Sequence, residues 1–172
     1  MNPAPSVFRQ QLLGVVPRLR RYARSLVFED AQSDDLVQTT LERALTRWQQ
    51  FDPQRDMLAW LLSIAHNAHQ DMRRKQARMQ SMDPAQLQAA QDSLGGDAGV
   101  DVGLRMDLLA ALARLSPEQR EPLLLVCVEQ FSYAEVAEVM HIPVGTVMSR
   151  VCRARATLRG LLDAPAKLRR VV

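Results

Sequence analysis

Cysteine is scarce in this chain: Cys127 and Cys152 are the two in 172 residues, too few for a disulfide framework. Aromatic residues make up only 5%, so any core has to be built largely from Leu, Val, Ala and Met. No apolar run of about 18 residues occurs, and no charged N-terminal segment leads into an unbroken apolar stretch. A membrane span and a secretion signal are therefore not expected. A cytoplasmic protein with no direct membrane insertion follows. Histidine is too sparse for a metal site. His66 and His69 stand three apart on one expected helix, His141 is remote, and no cysteine or acidic pair sits at local ligand spacing. No cofactor is implied.

What is present is apolar residues in globular proportion, 47%, in a length suited to one ordinary domain or two small ones. The net charge of +3 is unevenly laid out. Residues 1–52 sum to +1, 53–78 to +3, 79–105 to −3, 106–140 to −4 and 141–172 to +6. Two basic blocks separated by acidic ones are what two separate nucleic-acid contacts would look like.

The second basic block contains the most informative stretch, residues 132–162. Ser132 with Glu135 three residues later predicts a capping box opening a short helix over 133–140. Pro143 forbids simple continuation and suits the first turn of a following helix. Two short helices joined by a tight turn, the second basic, predict a helix-turn-helix that lays its second helix in a DNA major groove. At about 100° per residue, Val147, Val151, Ala154, Leu158 and Leu161 fall on one side of that helix. Gly145, Ser149, Cys152, Arg153 and Ala156 face away. Small residues there let the backbone approach a groove, and the planar fork of Arg153 suits a guanine edge or a phosphate. Thr146 and Ser149 can hydrogen-bond to bases or phosphates, while Arg150, Arg155 and Arg159 flank the face where phosphates lie.

Upstream, residues 5–28 show helical periodicity that Gly14 and Pro17 are expected to break or bend. Ser33 reads as the cap of a helix with Asp34 and Asp35 in its first turn. Its inner side carries Val37, Leu41, Ala44 and Trp48, its outer side Asp35, Gln38 and Glu42. Residues 49–56 form a polar loop around Pro53, and a long helix runs from Met57 to about Arg78. Trp60, Asn67 and Arg74 recur at intervals of seven along one flank, with His66, Gln70 and Arg73 on the adjoining exposed surface. An aromatic, an amide and arginines in succession can engage a nucleic-acid strand, although Trp60 taken alone is expected to be mostly core. Residues 81–104 read as a flexible linker. Beyond it, Ser116, Pro117 and Gln119 signal a helix start, and Cys127 is expected to be a small core residue.

Three stretches in order then complete a pattern: DDLVQTTLERAL at 34–45, FDP followed by AWLLSIAHNAHQDMRR across 51–74, and LSPEQREPLLLVCVEQFSYAEVAEVMHIPVGTVMSRVCRARATLRGLL at 115–162. Together they resemble a bacterial alternative sigma factor of the extracytoplasmic-function group. That resemblance implies an all-α protein of two small helical domains joined by a flexible linker, the C-terminal one a helix-turn-helix. Residues 1–80 would be the region-two module, 81–105 the linker and 106–172 the region-four module. It further implies core RNA polymerase, promoter DNA and an anti-sigma factor as partners, with no covalent step catalysed. Asp35, Gln38 and Glu42 would dock on the polymerase. Asp52, Pro53, Gln54, Arg55 and Asp56 would form a base-capture loop, with Trp60, Asn67, Arg73 and Arg74 holding the opened minus-ten strand. Thr146, Ser149, Arg150 and Arg153 would read the minus-thirty-five duplex. Two departures stand out: Met148 where a basic residue is common, and His66 where arginine is. The alternative is a conventional helix-turn-helix regulator that acts without being a polymerase subunit.

Overall fold

The computed structural model describes residues 4–82 and 102–163. Its elements among these residues are α1 (Ser6–Val27), α2 (Asp30–Thr46), a single 3-10 turn (Trp48–Gln50), α3 (Met57–Met82), α4 (Val102–Ala113), α5 (Pro117–Cys127), α6 (Tyr133–Met140) and α7 (Val144–Asp163). Helices α1–α3 make one compact unit and α4–α7 another. The expected linker lies almost wholly outside the described residues. No described helix is long and apolar enough to cross a membrane.

In the first unit each helix contributes a stripe at helical spacing: Leu12, Leu19, Tyr22 and Leu26 from α1, Leu36, Val37 and Ala44 from α2, and Leu58, Leu61, Leu62 and Ala65 from α3. The three stripes meet pairwise. The Thr40 hydroxyl, buried among them, donates to the Leu36 carbonyl at 2.7 Å, so it is not stranded. At the rim Arg43 pairs with Asp71 of α3 at 3.0 Å, a solvent-facing bridge of little energetic weight.

Two local cues give way here. Of the break or bend expected at Gly14 and Pro17, the break does not occur, because α1 runs unbroken through both. The proline side of the helix is exposed, as is Leu13 four residues earlier, so the carbonyl that loses its partner faces water. Nor does Ser33 cap α2. The chain reverses at Phe28, whose φ of 64° closes α1 in the left-handed region, and α2 starts at Asp30 with Glu29 as the flanking residue. Ser33 therefore falls inside the first turn, buried, its hydroxyl donating to the Asp30 carbonyl at 2.9 Å. Phe28, Gln130 and His141 are the described non-glycine residues with positive φ, and each follows a helix end where glycine is the commonest choice.

The second unit buries Leu112, Leu115, Leu123, Leu124, Leu125, Val136, Val147, Val151 and Ala154. Pro117 opens α5 as expected, but the Ser116 hydroxyl makes no capping bond. The joint between α4 and α5 is held instead by Arg120, which sequence periodicity did not single out. Its guanidinium is nearly buried and donates to the carbonyls of Leu112 at 3.0 Å, Ala113 at 3.0 Å and Leu115 at 2.8 Å. Leu112 and Ala113 close α4 and Leu115 lies two residues beyond it, and the Leu112 carbonyl also accepts from the Leu115 amide at 3.1 Å, so Arg120 ties the end of α4 to the turn that follows.

Replacing Arg120 by Met keeps the bulk and removes every donor. The variant is expected to lose about 2–4 kcal/mol from the α4–α7 unit, read as a lowered melting transition in calorimetry. An unchanged transition would show that the three carbonyls are satisfied some other way.

Candidate nucleic-acid interfaces

The α6–α7 pair is built by short-range chemistry. The Ser132 amide and hydroxyl both donate to the Glu135 carboxylate, at 2.8 and 2.7 Å, and the Glu135 amide donates back to the Ser132 hydroxyl at 3.2 Å. This is the expected capping box. Those bonds, the hydroxyl first and the amide second, hold the Glu135 carboxyl below its ordinary pKa. At the other end of α6, His141 takes φ 54° and the Ile142 amide reaches back to the Ala137 carbonyl at 3.1 Å. The Pro143 carbonyl then accepts from Thr146 at 2.9 Å and Val147 at 3.2 Å, starting α7 at once.

On α7 the predicted division of faces holds over the first turns, while Leu158 and Leu161, expected on the packed side, are only half-buried. Val147, Val151 and Ala154 are buried, whereas Gly145, Ser149, Cys152, Arg153 and Ala156 are exposed. Ser149 donates to the Thr146 carbonyl at 3.0 Å. Arg153 lies back along the helix, its Nε donating to the Ser149 carbonyl at 3.2 Å and its Nη2 reaching the Ser149 hydroxyl at 3.5 Å. Thr146, Ser149 and Arg153 thus form one polar edge over the first turns, with Arg150 half-buried beside it. Arg155 is committed elsewhere, donating to the Cys127 sulfur at 3.7 Å. That contact, ahead of nearby Tyr133, raises its pKa further. Cys127 itself is exposed, contrary to expectation, because it falls in the last turn of α5, past the buried Leu123–Leu124–Leu125 run.

The first unit presents a second surface at the start of α3. Asp52 accepts from the Gln54 amide through its carboxylate and from the Arg55 amide through its carbonyl, both at 2.9 Å. The Asp56 carboxylate accepts from the Ala59 amide at 2.8 Å and acts as N-cap of α3. Asp52 thus engages the loop's own backbone and Asp56 that of α3, and residues 52–56 are all exposed. Trp60 is half-buried, its ring 5.9 Å from Phe8 and 5.2 Å from Phe51. Phe8 also meets Trp48 at 6.5 Å and Phe51 at 5.7 Å. Next to this cluster is a mostly apolar cavity of about 220 Å³, lined by Pro5, Phe8, Trp48, Phe51 and Pro53 among others. Of these, Pro53 was expected in the loop, and Trp48 was expected on the inner side of α2 but lies in the 3-10 turn beyond that helix; contacts between residues 8, 48 and 51 leave no periodic signal.

Further along α3, Asn67 and Arg74 are exposed and Arg73 is partly so. Arg74 sits 4.0 Å from Asp71. His66 was expected on the surface but is only 8% exposed, since it lies beside Leu62, Ala65 and His69 on the inner side of the helix. On α2, Asp35, Gln38 and Glu42 line one exposed stripe, with Gln38 donating to Glu42 at 3.0 Å. Leu45 continues that stripe and is 44% exposed. Its spacing from Glu42 was the signal that could have identified it.

Known proteins share this arrangement. The family model for sigma-70 region 4 matches residues 105–158, and that for the sigma2 domain of PhyR matches residues 12–66. The ECF RNA polymerase sigma factor EcfG of Rhodopseudomonas palustris is 36% identical over 93% of this chain and 87% of its own. The sigma factor RpoE of Bartonella quintana, solved with the anti-sigma factor NepR, is 33% identical and superposes with a TM-score of 0.80 over 94% of this chain and 99% of that one. The PhyRSL–NepR complex from Sphingomonas sp. Fr1 gives 28% identity and a TM-score of 0.62, covering 95% and 94%. Two helical units, one ending in a helix-turn-helix and both matched in order, define a transcription-initiation factor of the sigma-70 class rather than a free-standing regulator. Within that class, the chain belongs to the extracytoplasmic-function (ECF) RNA polymerase sigma factors. Such a subunit selects promoters and assists their opening, and it is not a catalyst.

The capping box predicts an acid response. The folded pKa of Glu135 lies below its unfolded value, so its contribution is present above the unfolded pKa and is lost as pH falls through the folded one. Thermal melts of wild type and Ser132→Ala should differ near neutrality and converge under acid. A constant difference at every pH would mean that the box is not linked to Glu135 ionisation.

Proposed function

We propose that this ECF sigma factor engages core RNA polymerase and a promoter through three surfaces. The α2 stripe of Asp35, Gln38 and Glu42, with Leu45 as an apolar anchor, docks on the polymerase. The 52–56 loop receives one unstacked base of the minus-ten element. The adjoining cavity falls below the roughly 300–1,000 Å³ of drug-sized ligand sites and leaves room for a single small ring system. Trp60 acts from beneath, fixing the loop, while Asn67, Arg73 and Arg74 hold the opened strand beyond it. Unstacking costs a few kcal/mol, offset by stacking and backbone contacts. The outward face of α7 reads the minus-thirty-five duplex through Thr146, Ser149 and Arg153, with Arg150 on phosphate.

The observation that carries this reading is the arrangement on α7, where the packed side is fully apolar and the opposite side combines small residues with a positioned Arg153–Ser149 pair. A packing helix needs neither. The working boundaries are 1–80 for the minus-ten module, 81–105 for the linker and 106–172 for the minus-thirty-five module, acting in the cytoplasm. Because two of the similar structures were solved with NepR, an anti-sigma protein of that kind is the regulatory partner expected here.

Transcription reconstituted from purified core polymerase, this protein and a genomic promoter library tests the reading directly. Addition should redirect initiation to a defined promoter set, whereas the protein alone binds those promoters weakly. Unchanged start sites would overturn it. Arg153→Ala should reduce use of matched minus-thirty-five elements about tenfold or more and barely affect mismatched ones. Asn67→Ala should slow strand opening, followed by permanganate reactivity of thymines, more than it weakens the initial complex.

A further inference from the structure

Next to the polar edge of α7 runs an apolar one. Val144 and Met148 are 42% and 52% exposed on the N-terminal half of the helix, while Val147 and Val151, on its packed side, are buried. Val144, Met148 and Cys152 stand at i, i+4 and i+8, so they form a single strip beside Ser149 and Arg153. Arg155, on the same flank, is drawn back onto the Cys127 sulfur at 3.7 Å. The surrounding segment, residues 141–172, is nevertheless the most basic in the chain, at +6. An apolar strip bordered by guanidinium groups complements a polyanion that carries apolar groups at its surface. In the major groove the apolar group that a base pair presents is the C5-methyl of thymine. A thioether has no proton to donate to a base edge, and its flexible, polarizable chain adapts to a methyl.

We propose that Met148 is a specificity-determining residue that packs against the C5-methyl of a thymine in the minus-thirty-five duplex, while Ser149 and Arg153 read the neighbouring polar edges. This inference rests on the sigma-factor reading and adds to it a residue and the chemical group it recognises.

The test uses holoenzyme made with the full chain and the minus-thirty-five duplex it selects from a randomised library, resynthesised with each thymine changed in turn to uracil, which deletes only the methyl. Wild-type holoenzyme should select thymine at a fixed position and lose about fourfold in binding when that methyl is removed, the equivalent of one buried carbon. Holoenzymes carrying Met148→Ala or Met148→Lys should bind the thymine and uracil duplexes equally, with melting temperatures of the free variants unchanged. No selected thymine, equal wild-type binding to both duplexes, or a methyl effect that survives in Met148→Ala would overturn the inference while promoter selection persisted. Failure of the wild-type holoenzyme to select any duplex would overturn the sigma-factor reading itself.

Discussion

Half of the eight aromatic residues in this chain gather at one point, and the geometry of the first helical unit depends on it. Phe8 comes from α1, Trp48 from the 3-10 turn, Phe51 from the loop and Trp60 from α3. Each pair contributes about 0.5–1.5 kcal/mol beyond burial. The energy matters less than the placement, because four separate segments are locked at the base of the 52–56 loop. The aromatic floor fixes the loop backbone, and the exposed Asp52 and Asp56 carboxylates each accept from a nearby amide, which holds the loop and the start of α3 in register.

The second module reaches rigidity by another route. It contains two aromatic residues, Phe131 and Tyr133, and relies on backbone satisfaction. Arg120 closes α4, the Ser132–Glu135 box opens α6, and the left-handed His141 with Pro143 turns the chain into α7. Each device satisfies amides or carbonyls that a short helix leaves open. Short helices are marginal by themselves, so α6, with eight residues, requires both its cap and its packing. A helix held this way keeps Ser149 and Arg153 in fixed register along one edge.

What could be read in the chain beforehand follows the range of the interactions. The bounds of α6, its capping box and the start of α7 come from residues within three or four positions of one another, and they match the structure. The buried and exposed sides of α7 follow from periodicity alone. The failures are those in which a local cue met a stronger neighbour. Ser33 has the look of a cap but lies inside a helix begun three residues earlier by the reversal at Phe28. Pro17 has the look of a break but sits where water can satisfy the freed carbonyl. His66 and Cys127 were misplaced because a polar or apolar character in one residue does not decide which side of a helix it takes. The aromatic cluster and the Arg120 cap join residues distant in sequence, or pair a charge with carbonyls, and neither leaves a pattern in composition. The order of three motifs along the chain carried the family assignment.

The arginines of α7 are placed rather than lost. Arg155 leans onto the Cys127 sulfur and Arg153 lies along its own helix beside Ser149, and a guanidinium that donates to a neutral partner keeps its full positive charge. On α3, Arg74 shares its surroundings with Asp71. Two surfaces of modest strength become decisive when a common partner holds them at the right separation, which converts the second contact into an intramolecular event. For a sigma factor that partner is the core polymerase.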